Sequence, residues 1–182
     1  IRCAKESLRV GKINVAIIGV GNCASALVQG IQKYRETTDG EPVPGLMHPR
    51  IGDYEIGDIN IVAAFDIDTN KVGKDLSKAI FTEPNNTIRF AEVPLSGVTV
   101  QRGMAHDGIG KYVSELVKKA PGSTVNIAEI LKDRKCDVVV NYLPVGSEEA
   151  TKWYVEQVLN AGCAFVNCVP VFIAREKFWQ ER

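Results

Sequence analysis

The segment Gly19-Val20-Gly21-Asn22-Cys23-Ala24 fits the pattern G-x-G-x-x-A, directly after a β-branched apolar run and at the opening of a helical pattern. The chemistry of that spacing is anion binding. A glycine at 19 permits a tight strand-to-helix turn, a glycine at 21 lets a pyrophosphate approach the backbone, and Ala24 keeps helix and strand close. The helix start adds unpaired N–H groups and a partial positive charge. The six residues alone are a weak signal, and the strand–turn–helix setting gives them their weight. The competing reading is that these small residues merely serve a tight turn.

A dinucleotide needs a second group, an acid at the end of the next strand. Asp66 stands there, after Asn60 to Phe65, with Asp68 two positions on. A carboxylate in that place accepts hydrogen bonds from an adenosine ribose and repels a 2′-phosphate, which favours NAD over NADP. The usual interval from the turn is about 20 residues; an insertion lengthens it here, and strand-end position matters more than the count. Either acid could instead cap the following helix. Tyr142-Leu143-Pro144-Val145-Gly146-Ser147 follows a later strand, where Leu143, Pro144 and Ser147 could border the nicotinamide ribose. Ser147 before Glu148 and Glu149 also reads as an ordinary helix start. In Asp107 to Lys111 the lysine could meet phosphate, although an exposed helix lysine is the simpler account. Cys23 has the helix-start setting that lowers thiol pKa values, but with no His partner it reads as a small residue against cofactor or core. His48 and His106 have no identifiable catalytic partner in the sequence.

The elements that must position these groups alternate along the chain. Strands are expected at 12–18, 60–65, 98–100, 136–143 and 164–169. Helices are expected at 22–34, 70–81, 109–119, 126–135 and 148–161, with Gly162 as a C-terminal stop. Short, nearly continuous apolar runs bounded by glycine indicate strands buried on both faces. The pattern predicts an α/β fold, a doubly wound parallel sheet. Residues 36–58 hold Gly40, Pro42, Pro44, Gly45, Pro49, Gly52 and Gly57 and read as a long insertion, functional or interfacial.

Composition narrows the classes. The chain has 182 residues, a length for one domain, and its 22 Lys plus Arg balance 22 Asp plus Glu. A nucleic-acid binder would show a basic stripe, so that class is disfavoured. The 45% hydrophobic content excludes disorder. Cys3, Cys23, Cys136, Cys163 and Cys168 are odd in number and sit near apolar segments, as reduced cytosolic thiols would. With two histidines no metal site is expected, and no apolar run is long enough for a membrane helix. The start at Ile1 and the stop at Arg182 suggest a fragment.

Several segments are distinctive beyond the glycine turn. Val15 to Gln29, Pro44 to His48, Ala63 to Asp68, Val72 to Leu76, Val100 to Gly103, Asp107 to Tyr112, Asn141 to Ala150 and Ala164 to Ala174 resemble the amino-terminal half of a prokaryotic myo-inositol-phosphate synthase. The resemblance covers nearly the whole chain. It implies a Rossmann-type NAD-binding domain over residues 1–182, with a second, catalytic α/β domain missing. The implied reaction converts glucose 6-phosphate to myo-inositol phosphate by oxidation, intramolecular aldol closure and reduction, with the cofactor retained. This is the first step toward inositol and inositol lipids.

By position, the resemblance assigns the pyrophosphate to Gly19, Gly21, Asn22, Cys23 and Ala24 and the ribose to Asp66. It adds Asp75, Arg134 and Tyr154 as cofactor neighbours; Arg134 would act mainly through backbone or position, and residue chemistry alone would not choose it. It also implies a cytoplasmic homotetramer, with catalytic lysines and most sugar-phosphate contacts outside this chain, so that the chain alone binds NAD without turning over sugar. The glycine turn departs from the G-G-N-N-G form of the eukaryotic branch. Alternatives are a dehydrogenase with net redox output, a non-catalytic dinucleotide-binding module, and a methyltransferase using a glycine-rich first turn.

Overall fold

The computed structural model describes residues 11–37, 43–109 and 113–182. Cys3, Gly40, Pro42 and Lys111, weighed above, lie outside them. The apolar run at the start forms β1 (Ile13–Ile18), and its four carboxyl-terminal residues are buried. After the glycine turn comes α1 (Asn22–Tyr34), which buries Ala24, Val28 and Ile31 at helical spacing. The insertion holds a small antiparallel hairpin, β2 (Arg50–Ile51) with β3 (Tyr54–Glu55), before β4 (Ile59–Asp66). The chain continues through α2 (Leu76–Ala79), β5 (Val100–Arg102), α3 (Val113–Leu116) and α4 (Ile127–Asp133). It then forms β6 (Val138–Asn141), α5 (Glu148–Ala161), β7 (Ala164–Asn167) and α6 (Lys177–Gln180).

Five strands pair in the order β5-β4-β1-β6-β7, and every pair in that sheet is parallel. Alternating side chains feed two cores. Ile17, Ala64 and Val100 pack with Val28 and Leu76 on one face. Ala16, Ile18, Phe65 and Val139 pack with Leu131, Tyr154 and Val158 on the other. The expected doubly wound α/β sheet is therefore present, flanked by helices on both sides. The order turns about β1: the chain runs outward through β4 to β5, then returns to place β6 on the other flank. Loops at the carboxyl ends of β1 and β6 diverge there and leave a crevice.

Several expected elements are shorter or displaced. The helix expected over 70–81 is only Leu76–Ala79. Lys71 and Val72 N–H groups fold back onto the Asp68 carbonyl, and Gly73 adopts a left-handed φ of +86°. Gly73 N–H then bonds to Val100 O and Leu76 N–H to Val98 O, so the segment is tied to the neighbouring chain before a helix can propagate. Those bonds also engage residues 98–100, and the third sheet strand is shifted to Val100–Arg102. The helix expected over 109–119 is described only at Val113–Leu116. Thr69 N–H bonds to Lys118 O and Ala120 N–H to Ile67 O, which draws residues 118–120 into extended pairing.

The Asp75 carboxylate restarts the helix. It accepts from Ser77 N–H at 2.9 Å and Ser77 Oγ at 2.6 Å, and also from Ser96 and Gly97 N–H. Partial burial pushes its pKa up, but the bonds from Ser77 and Ser96 outweigh that and hold it at about 2, below the ordinary 3.8. The folded value lies below the unfolded one, so this stabilisation is complete above pH 3.8 and is lost as pH falls through about 2. Asp75→Asn is expected to flatten the acid arm of the thermal-unfolding profile between those limits. An arm as steep as the parent's would show that Asp75 contributes nothing there.

Candidate functional site

The crevice beside β1 is a cleft of about 310 Å³ at the carboxyl ends of β1, β4, β5 and β6. Its floor is the β1–α1 turn. Gly19 donates its N–H to Phe65 O at 2.8 Å, and its φ is +87°. A Cβ there would stand 2.7 Å from Tyr142 O, so the close approach of β6 to this turn requires glycine. Gly21 differs. Its φ of −106° and ψ of −151° suit any residue, and a Cβ would meet nothing within 4 Å. Neither the backbone nor any neighbour among the described residues calls for glycine there. Gly21 is also the N-cap of α1, with no side-chain cap and no acid in the first turn. The first N–H groups of a 13-residue helix thus have no side-chain acceptor at the cap among the described residues.

Asp66 closes over this turn. Its Oδ2 accepts from Val20 N–H at 2.7 Å, and its Oδ1 accepts from Ile67 N–H at 2.7 Å and Asp68 N–H at 2.9 Å. The carboxylate does not cap the next helix; it is fixed between two strand ends. A carboxylate offers about four acceptor positions, so one lone pair remains for a ligand hydroxyl. Asn22 lines the cleft while its Oδ1 accepts from Asn86 N–H at 2.9 Å. Ala24 is fully buried and Cys23 is exposed, each in the first turn of α1.

The far wall comes from β6 and α5. Leu143 and Pro144 line the cleft. Ser147 does not: it is buried, and its Oγ donates to Pro144 O at 2.6 Å, closing the turn behind the wall. Nor does Ser147 cap α5 through its side chain. That function falls to Asp107, whose two oxygens accept from Glu149 and Ala150 N–H at 2.9 Å each. Burial raises the Asp107 pKa, and these backbone bonds more than offset it, so the carboxyl is held below its ordinary value.

A strap from β5 completes the enclosure. Met104, Ala105, Gly108 and Ile109 line the cleft, and Asp107 anchors them to α5. Tyr154 pins the base of the strap: its hydroxyl accepts from Met104 N–H at 2.7 Å, while its ring lines the cleft. Burial pushes the Tyr154 hydroxyl pKa up, so it serves as a fixed neutral hydrogen-bonding group. Gly103 is needed beside it, because a Cβ would collide with that hydroxyl.

The structure therefore brings Gly19, Gly21, Asn22, Asp66, Leu143, Pro144 and Tyr154 to one cleft. Cys23, Ala24 and Ser147 flank the cleft without lining it, and Asp75 and Arg134 stand elsewhere. The Asp75 carboxylate is spent on Ser77, Ser96 and Gly97 as described. Arg134 is exposed at the C-cap of α4. Sequence reasoning missed Lys71, Pro84, Met104, Ala105 and Val117 as cleft wall, and placed the 107–111 loop near phosphate only through Lys111. The signal available for the strap was its place beyond a strand's carboxyl end. His106 packs on Trp153 with ring centroids 6.1 Å apart, and His48 is an exposed loop residue. Among the described residues no cluster of His, Cys, Asp or Glu could hold a metal ion, and no helix is long and apolar enough to cross a membrane.

No protein-family model matches the chain. The chain is 52% identical over 176 residues to an inositol-3-phosphate synthase of Mycolicibacterium smegmatis, covering 97% of this chain and 48% of that protein. It is 52% identical over 171 residues to one from Mycobacterium tuberculosis, covering 94% and 47%. Among solved structures it is similar to Ari2, with a TM-score of 0.77 and 34% identity over 93% of this chain and 50% of the other. A myo-inositol-1-phosphate synthase-related protein from Thermotoga maritima gives 0.64 and 25% over 93% and 51%. The chain spans about half the length of the curated relatives it matches.

Proposed function

By sequence the chain belongs with the inositol-3-phosphate synthases, and from that premise we propose that it is the part that holds their nicotinamide cofactor. The carrying observation is Gly21, whose missing side chain answers to no contact among the described residues, at a helix start without a side-chain cap. A diphosphate lying there takes the N–H groups of Asn22, Cys23 and Ala24. Asp66, already fixed by three backbone donors, accepts from the adenosine ribose and repels a 2′-phosphate, which selects NAD over NADP. Leu143, Pro144 and the strap exclude water from the nicotinamide end, and Tyr154 positions the strap.

Bound in this cleft, NAD supplies reversible oxidation of a sugar alcohol, so that glucose 6-phosphate can be oxidised, closed by aldol chemistry and reduced again to myo-inositol phosphate. The groups acting on the sugar belong, on this reading, to the half of the relatives that this chain does not span. Met47 and Ile51, exposed on the insertion, support assembly of copies into a homo-oligomer, a tetramer by family resemblance, in the cytoplasm.

The complete protein, given glucose 6-phosphate and NAD, is expected to form inositol phosphate without net NADH. Net NADH with no inositol phosphate would replace this reading with an ordinary dehydrogenase. NAD binding in a calorimeter with no sugar turnover would leave only a binding module, and preference for S-adenosylmethionine would point to a methyltransferase.

A further inference from the structure

One wall of the cleft carries charges that phosphates and ribose leave unanswered. Asp68 and Lys71 both line it, and they are only 1% and 5% exposed. Asp68 Oδ1 accepts from Asn70 N–H at 2.9 Å, but Oδ2 has no hydrogen-bond partner among the described residues. Within the same residues the Lys71 ammonium has no partner either. A buried carboxylate oxygen without a donor is costly, and such orphans are rare enough to call for an explanation. Apolar walls would suffice to hold any flat base.

Both side chains belong to the turn after β4, two and five residues past Asp66. With the ribose at Asp66, the next part of the ligand along this turn is the base. Resting on the dinucleotide reading, we propose that Asp68 and Lys71 read the adenine edge: Asp68 Oδ2 accepts from the 6-amino group and Lys71 Nζ donates to N7 on the same edge. Adenine presents that donor and acceptor side by side, whereas a 6-oxo purine presents a carbonyl oxygen in place of the amine. A carbonyl facing Asp68 leaves both oxygens without a proton between them. The cleft therefore specifies adenine over hypoxanthine, and nothing in the glycine turn or at Asp66 does so.

The probes are NAD and nicotinamide hypoxanthine dinucleotide, titrated calorimetrically into the complete protein. A hydrogen bond to a charged group contributes about 1.5–3 kcal/mol, so the parent is expected to prefer NAD by roughly 10- to 100-fold. In Asp68→Asn, whose amide can turn either an acceptor or a donor to the base, the preference is expected to fall toward one. Lys71→Met, which keeps the stem, is expected to weaken both ligands. Equal affinity of the parent for the two dinucleotides overturns the assignment and leaves the dinucleotide reading standing. Binding of neither overturns both. A preference that survives undiminished in Asp68→Asn removes Asp68 from the role, and the parent titrations decide the matter even if that variant does not fold.

Discussion

Gly21→Val is expected to lose NAD affinity by at least about 100-fold while unfolding within a few degrees of the parent. The backbone at Gly21 is extended, and a Cβ there meets open space, so the fold has little reason to object. The residual cost is that of a poor N-cap, about 1 kcal/mol, or roughly 4 °C for a domain of this size. The cleft has a strong reason to object, because an isopropyl group would occupy the approach of the diphosphate to the helix N–H groups. Gly19 gives the opposite result. Gly19→Ala places a Cβ at positive φ, which costs about 1–2 kcal/mol, and drives it against Tyr142 O at 2.7 Å. That variant loses stability first and binding as a consequence. Calorimetric titration with NAD beside thermal unfolding separates the two, and unchanged affinity in a folded Gly21→Val protein would remove the diphosphate from this turn.

Asp66→Asn is expected to weaken NAD by roughly 10- to 100-fold, on the scale of a lost charge-assisted hydrogen bond, and to narrow the gap between NAD and NADP. Three backbone N–H groups converge on the two carboxylate oxygens. An amide offers one oxygen and one NH₂, so at least one of those N–H groups must then face a donor. The turn loosens where it meets β4, and the charge that repels a 2′-phosphate disappears. Loss of NAD affinity with an unaltered NAD-to-NADP ratio would place the 2′-position away from Asp66.

The parts of this protein written in local pattern were legible in its sequence. The bounds of α1 and α5 agree with expectation, because thirteen and fourteen residues of apolar spacing are long enough to carry a period. The strand–glycine–helix unit and the acid after the next strand were legible for the same reason. What escaped was set by contacts distant in the chain. The helix expected over 70–81 failed because Gly73 and Leu76 pair with Val100 and Val98. The N-terminus of α5 looked self-sufficient at Ser147, yet its cap is Asp107, more than 40 residues earlier. Lys71 carried no local signal at all, and only the packing of residues 118–120 against the turn after β4 shows it buried in a cleft. Asp75 and Arg134 came from resemblance, and the physical environment of each is now plain: one orders a turn, the other ends a short helix.

The central position of β1 shapes how the nascent polypeptide must mature. One border of that strand waits for β4, and the other is sealed by a segment far downstream, where Asn14 N–H meets the Asp137 carboxylate across 123 residues at 2.7 Å. Until the ribosome has released β6, the middle of the sheet presents an unpaired hydrogen-bonding border flanked by apolar surface, the kind of intermediate that sticks to its neighbours. Translation halted anywhere before Asn141 would therefore yield an aggregation-prone product, whatever the integrity of the glycine turn it already contains.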